Sequence, residues 1–325
     1  MPPLAVQRIL FPTDFSAAAE GAYRHAAWLA DRFGAELHVL HVVEDESAPP
    51  RDWPDVAGTG HVRVSLADVS EDLGLPAPAA EDQAPYDEIE VVEAEVVGRA
   101  VPEAVLDYAR DEEVDLVVMG THGRRGWRRG VLGSAAEAVA RRAPCPVLTV
   151  RPLDAPGQGE WPPSRVLLAA DELPARGDHA APIPLAARWA ARLAVAYHAP
   201  LEVVHVTTPS RLSLGLPDEL ARVQAREREA LLTLAEALRA EAEAELPVGV
   251  SVRSGDPAAA IRAAAEETRA HLLVVGTHGR GGAGRALLGS VAETLVRTAP
   301  CPVLVARDAL ADAGRTPADA REARS

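Results

Sequence analysis

The chain has 325 residues, of which 48% are hydrophobic and 25% charged, and its formal net charge at pH 7 is −15. This length suits about two domains, and the acidic charge argues against a general nucleic-acid or anionic-membrane binder, because such proteins use a positive field. The sequence contains no lysine, so the P-loop motif, whose lysine contacts the β- and γ-phosphates, is excluded.

Targeting and cross-linking features are sparse in this sequence. Two cysteines in a chain of this length are too few for a disulfide framework. No run of 18 apolar residues occurs, and the N-terminus lacks the apolar core of a secretory signal peptide. We therefore expect a cytoplasmic protein that has neither a membrane nor a nucleic acid among its partners.

The first half of the chain alternates short apolar runs with helical patterns. The apolar runs predict strands at 9–12, 36–43, 90–97, 115–120 and 146–150. Helical periodicity predicts helices at 16–32, 101–110 and 134–142. Residues 45–88 are broken by Pro and Gly and contain the alternating run HVRVSLADV at 61–69. We expect a β-hairpin or an irregular insert there.

The second half repeats the alternation without this insert. Its predicted strands lie at 165–170, 201–206, 248–253, 271–276 and 302–306. Its predicted helices lie at 183–197, 218–244, 257–268 and 290–298. Continuous apolar strands separated by helices indicate a parallel sheet that is covered on both faces. We therefore predict an α/β protein of two doubly wound domains, flavodoxin-like or Rossmann-like, each with a five-stranded parallel sheet.

A long internal repeat relates the two halves. Residues 119–151 reappear as residues 275–307 at a constant offset of 156, and RILFPTD at 8–14 matches RVLLAAD at 165–171. A period of this length indicates two copies of a whole domain. The predicted segments are a first domain at 1–151, a Pro- and Gly-rich linker at 152–163, a second domain at 164–307, and a disordered or loosely helical tail at 308–325.

Both copies carry a glycine-rich loop of the form G-x2-G-x9-G-S directly after a predicted strand. Glycines let the backbone turn sharply and approach a ligand closely. The last Gly-Ser pair opens a helix, whose free N–H groups and positive dipole end suit a phosphate. Arginines near the loops add positive charge in an acidic chain, and they are Arg124, Arg125, Arg128, Arg129, Arg280 and Arg285.

With this loop, the following APCPVL strand and the opening ILFPTDFS, the chain resembles the ATP-binding branch of the universal stress protein family, once in each half. The resemblance implies ATP, with Mg²⁺, in a cleft beside the first strand of each domain. It also implies that domains pair through their last strands. We therefore expect an intramolecular pseudo-dimer, which leaves a homodimer open as well.

The resemblance also implies the residues that contact the nucleotide. In the first copy they are Pro12, Thr13, Asp14, Val42, Met119, Gly120, His122, Gly123, Gly133, Ser134 and Ala135. In the second copy they are Asp171, Val206, Val275, Gly276, His278, Gly279, Gly289, Ser290 and Val291. The aspartate after the first strand would accept a hydrogen bond from the ribose or help hold Mg²⁺. The valine of the second strand would contact the adenine.

The two copies are not equivalent at their openings. AADELP in the second copy replaces the PTDFS of the first, so the serine after the aspartate is missing. Which copy binds nucleotide more tightly therefore stays open. A GxGxxG pattern at Gly279, Gly281 and Gly284 is not repeated in the first copy, which disfavours dinucleotide binding of the Rossmann type.

Other residues with chemical potential have simpler interpretations. We interpret His41 and His205, inside apolar strands, as core histidines, and His122 and His278 as loop residues that position the backbone or touch phosphate. Cys145 and Cys301 are expected to be small buried apolar residues. If the last strands pair, however, the two thiols could approach each other.

The sequence thus predicts a nucleotide-binding protein that acts in stress response or signalling with unidentified protein partners. No dedicated general base is evident, so we expect at most a weak ATPase. The alternative is a scaffold that has lost nucleotide binding and works through protein–protein contacts.

Overall fold

The computed structural model describes residues 4–16, 19–45, 60–64, 89–121, 133–151, 161–175, 177–178, 181–208, 217–242, 245–277 and 288–307. The strands in these residues are β1 Arg8–Thr13, β2 Glu36–Glu44, β3 Gly60–Val64, β4 Ile89–Gly98, β5 Leu116–Gly120, β6 Val147–Val150, β7 Val166–Ala169, β8 Leu201–Thr207, β9 Val248–Ser254, β10 Leu272–Gly276 and β11 Val303–Ala306. The helices are α1 Glu20–Phe33, α2 Val101–Asp111, α3 Ser134–Arg142, α4 Leu185–Ala196, α5 Pro217–Glu241, α6 Pro257–Thr268 and α7 Ser290–Thr298.

All these strands join in one continuous sheet with the order β3-β4-β2-β1-β5-β6-β11-β10-β7-β8-β9. The pairs β3–β4 and β6–β11 are antiparallel, and the other neighbouring pairs are parallel. Within each half the five parallel strands follow the order 3-2-1-4-5, which matches the first five strands of the classic Rossmann order 3-2-1-4-5-6. The predicted α/β class with two doubly wound domains is confirmed.

The halves differ where the sequence predicts an irregular insert. In the first half, β3 lies inside the stretch 45–88 and adds an antiparallel edge strand, with Gly60 opposite Glu93 and Val64 opposite Ile89. In the second half, the corresponding stretch contains the 25-residue helix α5. The other residues between 46 and 88 lie outside the described residues, as do the tail 308–325 and residues 152–160 of the linker.

Helices cover both faces of the sheet. One core lies between the sheet and α1, α4 and α5, and a second lies between the sheet and α2, α3, α6 and α7. Both cores consist mainly of Ala, Val and Leu, as the low aromatic content of 4% requires. Among the described helices, none combines the length and the apolar character needed to cross a bilayer.

The two halves join through the antiparallel pair β6–β11, with Thr149 opposite Val303 and Val147 opposite Val305. The Thr149 hydroxyl also donates to the Val303 carbonyl at 3.1 Å. Two arginines at equivalent positions reach across in opposite directions. Arg151 donates to the Arg297 carbonyl at 2.8 Å, and Arg307 donates to the Arg141 carbonyl. These reciprocal contacts make the joint a pseudo-twofold interface within one chain.

Four charged side chains extend this symmetry between α3 and α7. Glu137 pairs with Arg141 on its own helix at 3.1 Å and with Arg297 on the other at 2.7 Å. Glu293 pairs with Arg297 at 3.2 Å and with Arg141 at 3.5 Å. Each carboxylate therefore contacts both guanidiniums, which ties the two helices together.

An aromatic cluster joins the halves on the opposite face. Trp28 of α1 donates from its indole Nε1 to the carbonyl of Ala196 in α4 at 3.0 Å and stacks on Tyr197. His25 Nδ1 lies 2.7 Å from the Tyr197 hydroxyl. Trp161, at the end of the linker, packs edge-on against both His25 and Trp28. Thus the linker's end is part of the interface.

The pairing of the last strands does not bring the two cysteines together. Continuing the β6–β11 register places Cys145 opposite Arg307 and Cys301 opposite Arg151. The thiols are therefore six positions apart along the strands, or about 20 Å at about 3.4 Å per residue. Both are buried free thiols, and burial raises the pKa of each to about 12. They stay protonated and unreactive near neutral pH.

Candidate functional site

Each half has a topological switch point between its first and fourth parallel strands. In the first half β1 lies beside β5, and in the second β7 lies beside β10. The helix after β1 or β7 packs on one face of the sheet, and the helix after β5 or β10 packs on the other. The chain therefore diverges at the carboxyl ends of these strands and leaves a crevice there.

The glycine-rich loops begin and end at these crevices, and each is closed at its base by the same backbone bond. Gly133 N–H donates to the Thr121 carbonyl at 2.7 Å, and Gly289 N–H donates to the Thr277 carbonyl at 3.1 Å. A Cβ on Gly289 would lie 2.9 Å from the Thr277 oxygen, so this close approach requires glycine. Residues 122–132 and 278–287, with the predicted His122, Gly123, His278, Gly279 and arginines, lie outside the described residues.

The helices that follow the loops present open N-termini. Gly133 and Gly289 are extended N-cap residues, and among the described residues neither helix has a side-chain cap. Ser134 and Ser290, the first helical residues, are exposed. Uncapped N–H groups at the positive end of a helix dipole are suited to an anion.

In the second half the crevice contains a cleft of about 540 Å³, counting its open mouth. Residues 169–172 at the end of β7, residues 184–187 at the start of α4, and Gly276 and Thr277 at the end of β10 form much of its wall. Two carboxylates, those of Asp171 and the exposed Glu172, thus lie among mainly small and apolar lining residues. Asp171 Oδ2 is buried and accepts no hydrogen bond from any residue that the structure describes.

The opening of the first half forms a tight turn instead. The Thr13 hydroxyl accepts the Phe15 N–H at 3.0 Å, and Asp14 Oδ1 accepts the Ser16 N–H at 3.0 Å. Phe15 has a left-handed φ of 58°. Here the buried oxygen without a partner among the described residues is Ser16 Oγ. Ser16 is not among the predicted contacts, although it belongs to the PTDFS pattern that carried the prediction.

The histidines of the second strands, which the sequence predicts to be core residues, bind the end of the first strand in each half. His41 Nδ1 donates to the Thr13 carbonyl at 3.0 Å, and His205 Nδ1 donates to the Ala170 carbonyl at 2.7 Å. Each ring therefore fixes the end of the first strand, next to Asp14 or Asp171. His205 is also 3.5 Å from Glu227 of α5, which accepts from the Thr207 hydroxyl. The repeated position of these histidines was the sequence signal for this role.

The remaining predicted contacts surround the crevices at different depths. Met119 and Val275 are buried in the strands that lead into the loops. Val42, Val206 and Val291 are half-buried against the core that contains α3 and α7. Pro12, Gly120, Gly276 and Ala135 are also half-buried, at strand ends or in the first turn of α3. Of the predicted set in the second half, Asp171 and Gly276 line the cleft itself.

The described residues contain no group of three or more His, Cys, Asp or Glu side chains placed to hold a metal ion. This does not conflict with Mg²⁺ bound together with a nucleotide. Mg²⁺ usually takes one or two carboxylates and completes its shell with water and substrate phosphates. The Asp171 carboxylate fits that requirement.

Comparison with known proteins places the chain among its relatives. The universal stress protein family model matches residues 5–151 and again residues 164–307. Universal stress protein Rv2005c of Mycobacterium tuberculosis is 32% identical over 278 residues, which cover 83% of this chain and 87% of that protein.

Solved structures with sequence similarity to this chain also exist. PA1789 of Pseudomonas aeruginosa, described as functionally unknown, shares the fold with a TM-score of 0.64 and 20% identity over 94% of each chain. A universal stress protein in complex with cAMP is 25% identical over 45% of this chain and 97% of its own, with a TM-score of 0.31. The chain belongs to the universal stress protein family and carries the family's domain twice.

Proposed function

We propose that the chain binds ATP at the switch point of each half and acts in stress response or signalling through nucleotide-dependent contacts with other proteins. The phosphates would lie at the uncapped N-termini of α3 and α7. The aspartate after the first strand would face the ribose or the metal ion.

The main observation behind this proposal is the buried oxygen Oδ2 of Asp171, which has no hydrogen-bond partner among the described residues. A buried carboxylate oxygen costs free energy when it has no hydrogen-bond partner. Such atoms are rare in folded proteins and call for an explanation. A ribose hydroxyl or a nucleotide-bound Mg²⁺ would give this oxygen its partner, and Asp171 lines the cleft.

The described residues around the clefts offer little support for fast ATP hydrolysis. Within the described residues, the carboxylates that line the cleft are those of Asp171 and the exposed Glu172, and we assign Asp171 to holding the ligand. The histidines beside the strand ends use Nδ1 on backbone carbonyls, so they support the site's framework. We therefore propose that the protein hydrolyses ATP slowly at most. Mg²⁺ bound with the nucleotide would serve mainly to neutralise the charge of the phosphates.

Isothermal titration of Mg²⁺-ATP into Asp171→Asn tests the role of this atom. The substitution keeps the side-chain shape but removes the charged acceptor, so we expect ATP affinity at the second-half site to fall about tenfold or more. The free energy of unfolding without nucleotide should change little, because Oδ2 has no hydrogen bond to lose among the described residues.

Asp218→Asn, on an exposed position in the first turn of α5, is the matched control and should leave ATP affinity unchanged. Equal affinities for Asp171→Asn and Asp218→Asn would show that Asp171 does not contact the nucleotide. Absence of ATP binding to the wild-type protein would contradict the whole proposal and favour a scaffold that works through protein contacts.

A further inference from the structure

Helix α5 approaches the second-half cleft at two places. Leu234 of α5 is one of the residues that line the cleft. About two turns earlier in the helix, Glu227 lies next to His205 of β8, with its Oε1 3.5 Å from the imidazole Nε2. In the first half, the described residues between β2 and β4 contain the strand β3 and no helix. Contacts of α5 therefore distinguish the second-half site from the first-half site.

A short series of contacts connects Glu227 to Asp171. His205 Nδ1 donates to the Ala170 carbonyl at 2.7 Å, and this carbonyl belongs to the peptide group that joins Ala170 to Asp171. The imidazole is a rigid ring, so its position restrains that peptide group. The side chains of His205 and Glu227 are only 3% and 13% exposed, and polar contacts are stronger in such a low-dielectric environment than in water.

Glu227 faces the second nitrogen of this ring. Because Nδ1 uses its proton on a carbonyl, Nε2 needs a partner of its own. Nε2 is buried and makes no hydrogen bond to any described residue, and it forms an ion pair with Glu227 Oε1 when it carries a proton. The other carboxylate oxygen of Glu227 accepts from the Thr207 hydroxyl, which orients the carboxylate. Among the described residues, removal of Glu227 would leave the ring with a polar contact at Nδ1 only.

The first half orients its aspartate in another way. Asp14 Oδ1 accepts the Ser16 N–H at 3.0 Å, so the local turn fixes this side chain. The neighbouring histidine, His41, packs against the ring of Phe15, with centroids 4.9 Å apart. Asp171 Oδ2 accepts no such bond from the described residues. The position of Asp171 therefore depends more strongly on the backbone that carries it.

We propose that Glu227 is a positioning residue for Asp171. By holding His205, it fixes the peptide group between Ala170 and Asp171, and with it the carboxylate that lines the cleft. The expected effect of Glu227 on ATP affinity rests on the function proposed above, whereas its effect on the position of Asp171 does not.

Calorimetric titration of Mg²⁺-ATP into the full chain with Glu227→Ala tests the effect on binding. The second-half site is the one that Asp171→Asn weakens, and we expect its affinity to fall about three- to thirtyfold, as for substitutions that act on a site through other residues. Glu227→Gln should restore the wild-type affinity, because its amide can donate to Nε2 and its oxygen can accept from Thr207. Glu219→Ala removes an exposed carboxylate from the first turn of the same helix and should have no effect.

A double-mutant cycle separates this role from a general loss of stability. If Glu227 acts through Asp171, Glu227→Ala should weaken ATP binding no further in a protein that already carries Asp171→Asn. The full loss in both backgrounds would overturn the proposal, and so would equal losses for Glu227→Ala and Glu219→Ala. Thermal melting of each variant verifies that it is folded.

The nucleotide-free protein tests the positioning itself. In ¹H–¹⁵N NMR spectra, the backbone amide signal of Asp171 should shift in Glu227→Ala and stay in place in Glu219→Ala. An unmoved Asp171 signal in Glu227→Ala would overturn the proposal whether or not the chain binds ATP. If the signal moves as expected but the wild-type protein binds no ATP, the positioning role stands and the proposed function fails.

Discussion

At the scale of single residues, the two halves place different atoms at the end of their first strand. The buried oxygen without a described partner is Ser16 Oγ in one half and Asp171 Oδ2 in the other. Asp14 instead accepts the Ser16 N–H, and the residue that corresponds to Ser16 is Leu173, which packs against the core. The repeat therefore preserves the backbone of the site while the polar atoms it offers differ.

Gly289 provides the first prediction at this scale. A Cβ at this position would lie 2.9 Å from the Thr277 oxygen, so Gly289→Ala forces the loop base apart. We expect a loss of about 1–3 kcal/mol in the free energy of unfolding. Urea denaturation followed by circular dichroism measures this loss.

Gly276→Ala is the matched control for this experiment. Its new Cβ would lie 3.9 Å from Ala186 Cβ, an ordinary contact distance. We expect a change smaller than about 0.5 kcal/mol, as for substitutions away from strain or clashes. If Gly276→Ala destabilises the protein as much as Gly289→Ala does, the close approach to Thr277 is not what requires glycine.

At the scale of elements, periodicity and the internal repeat predict nearly all helices and strands, because each apolar run faces a core on a covered sheet. Strand β3 is less predictable, because an alternating run in a Pro- and Gly-broken segment fits either a hairpin or a loop. The ion-pair contact between α3 and α7 is not predictable either. Glu137 and Arg141 read as an ordinary i,i+4 pair, and the crossing to Arg297 exists only after the halves meet.

Glu137→Gln tests the contribution of this cross-helix network. Glu137 contacts guanidiniums of both helices while partly exposed to solvent, so we expect a loss of about 0.5–1 kcal/mol at low salt. Most of the loss should disappear in 1 M NaCl, where the Debye length is about 3 Å.

The exposed pair Arg262–Glu266 on α6, with an N–O distance of 3.6 Å, supplies the comparison for Glu137. Glu266→Gln should change the unfolding free energy by less than about 0.3 kcal/mol. A salt-independent loss for Glu137→Gln would mean that packing at the interface, rather than charge, determines the effect.

At the scale of the whole molecule, the sequence predicts two domains joined through their last strands, and the structure contains this joint. The aromatic contacts of His25, Trp28, Trp161 and Tyr197 could not be predicted, because they unite three segments that lie far apart along the chain. The same holds for the cavity formed by the ends of α1, α4 and α5, whose walls come from both halves. The separation of the cysteines also depends on the register of β6 and β11, which no local pattern specifies.

The interface between the halves should make stability depend on pH. Burial lowers the pKa of His25 to about 3, whereas an unfolded histidine has a pKa of about 6.5. Below about pH 6.5 the unfolded state binds a proton that the folded state does not. The contribution of His25 is thus complete above pH 6.5 and falls by about 1.4 kcal/mol per pH unit as the pH drops toward 3.

His25→Phe should remove this dependence. Between pH 4 and 6, the slope of the unfolding free energy against pH should be smaller than in the wild-type protein by about 1.4 kcal/mol per pH unit. Urea titrations at several pH values in this range measure both slopes. Parallel slopes would mean that His25 is protonated in the folded protein or already buried in the unfolded one.

We propose that each half has its own nucleotide site at its switch point. The number of ATP molecules bound per chain at saturation, measured by equilibrium dialysis with Mg²⁺, tests it most directly. We expect two ATP molecules per chain, bound with unequal affinities because the openings differ at Ser16 and Asp171. A stoichiometry of one or none would contradict it.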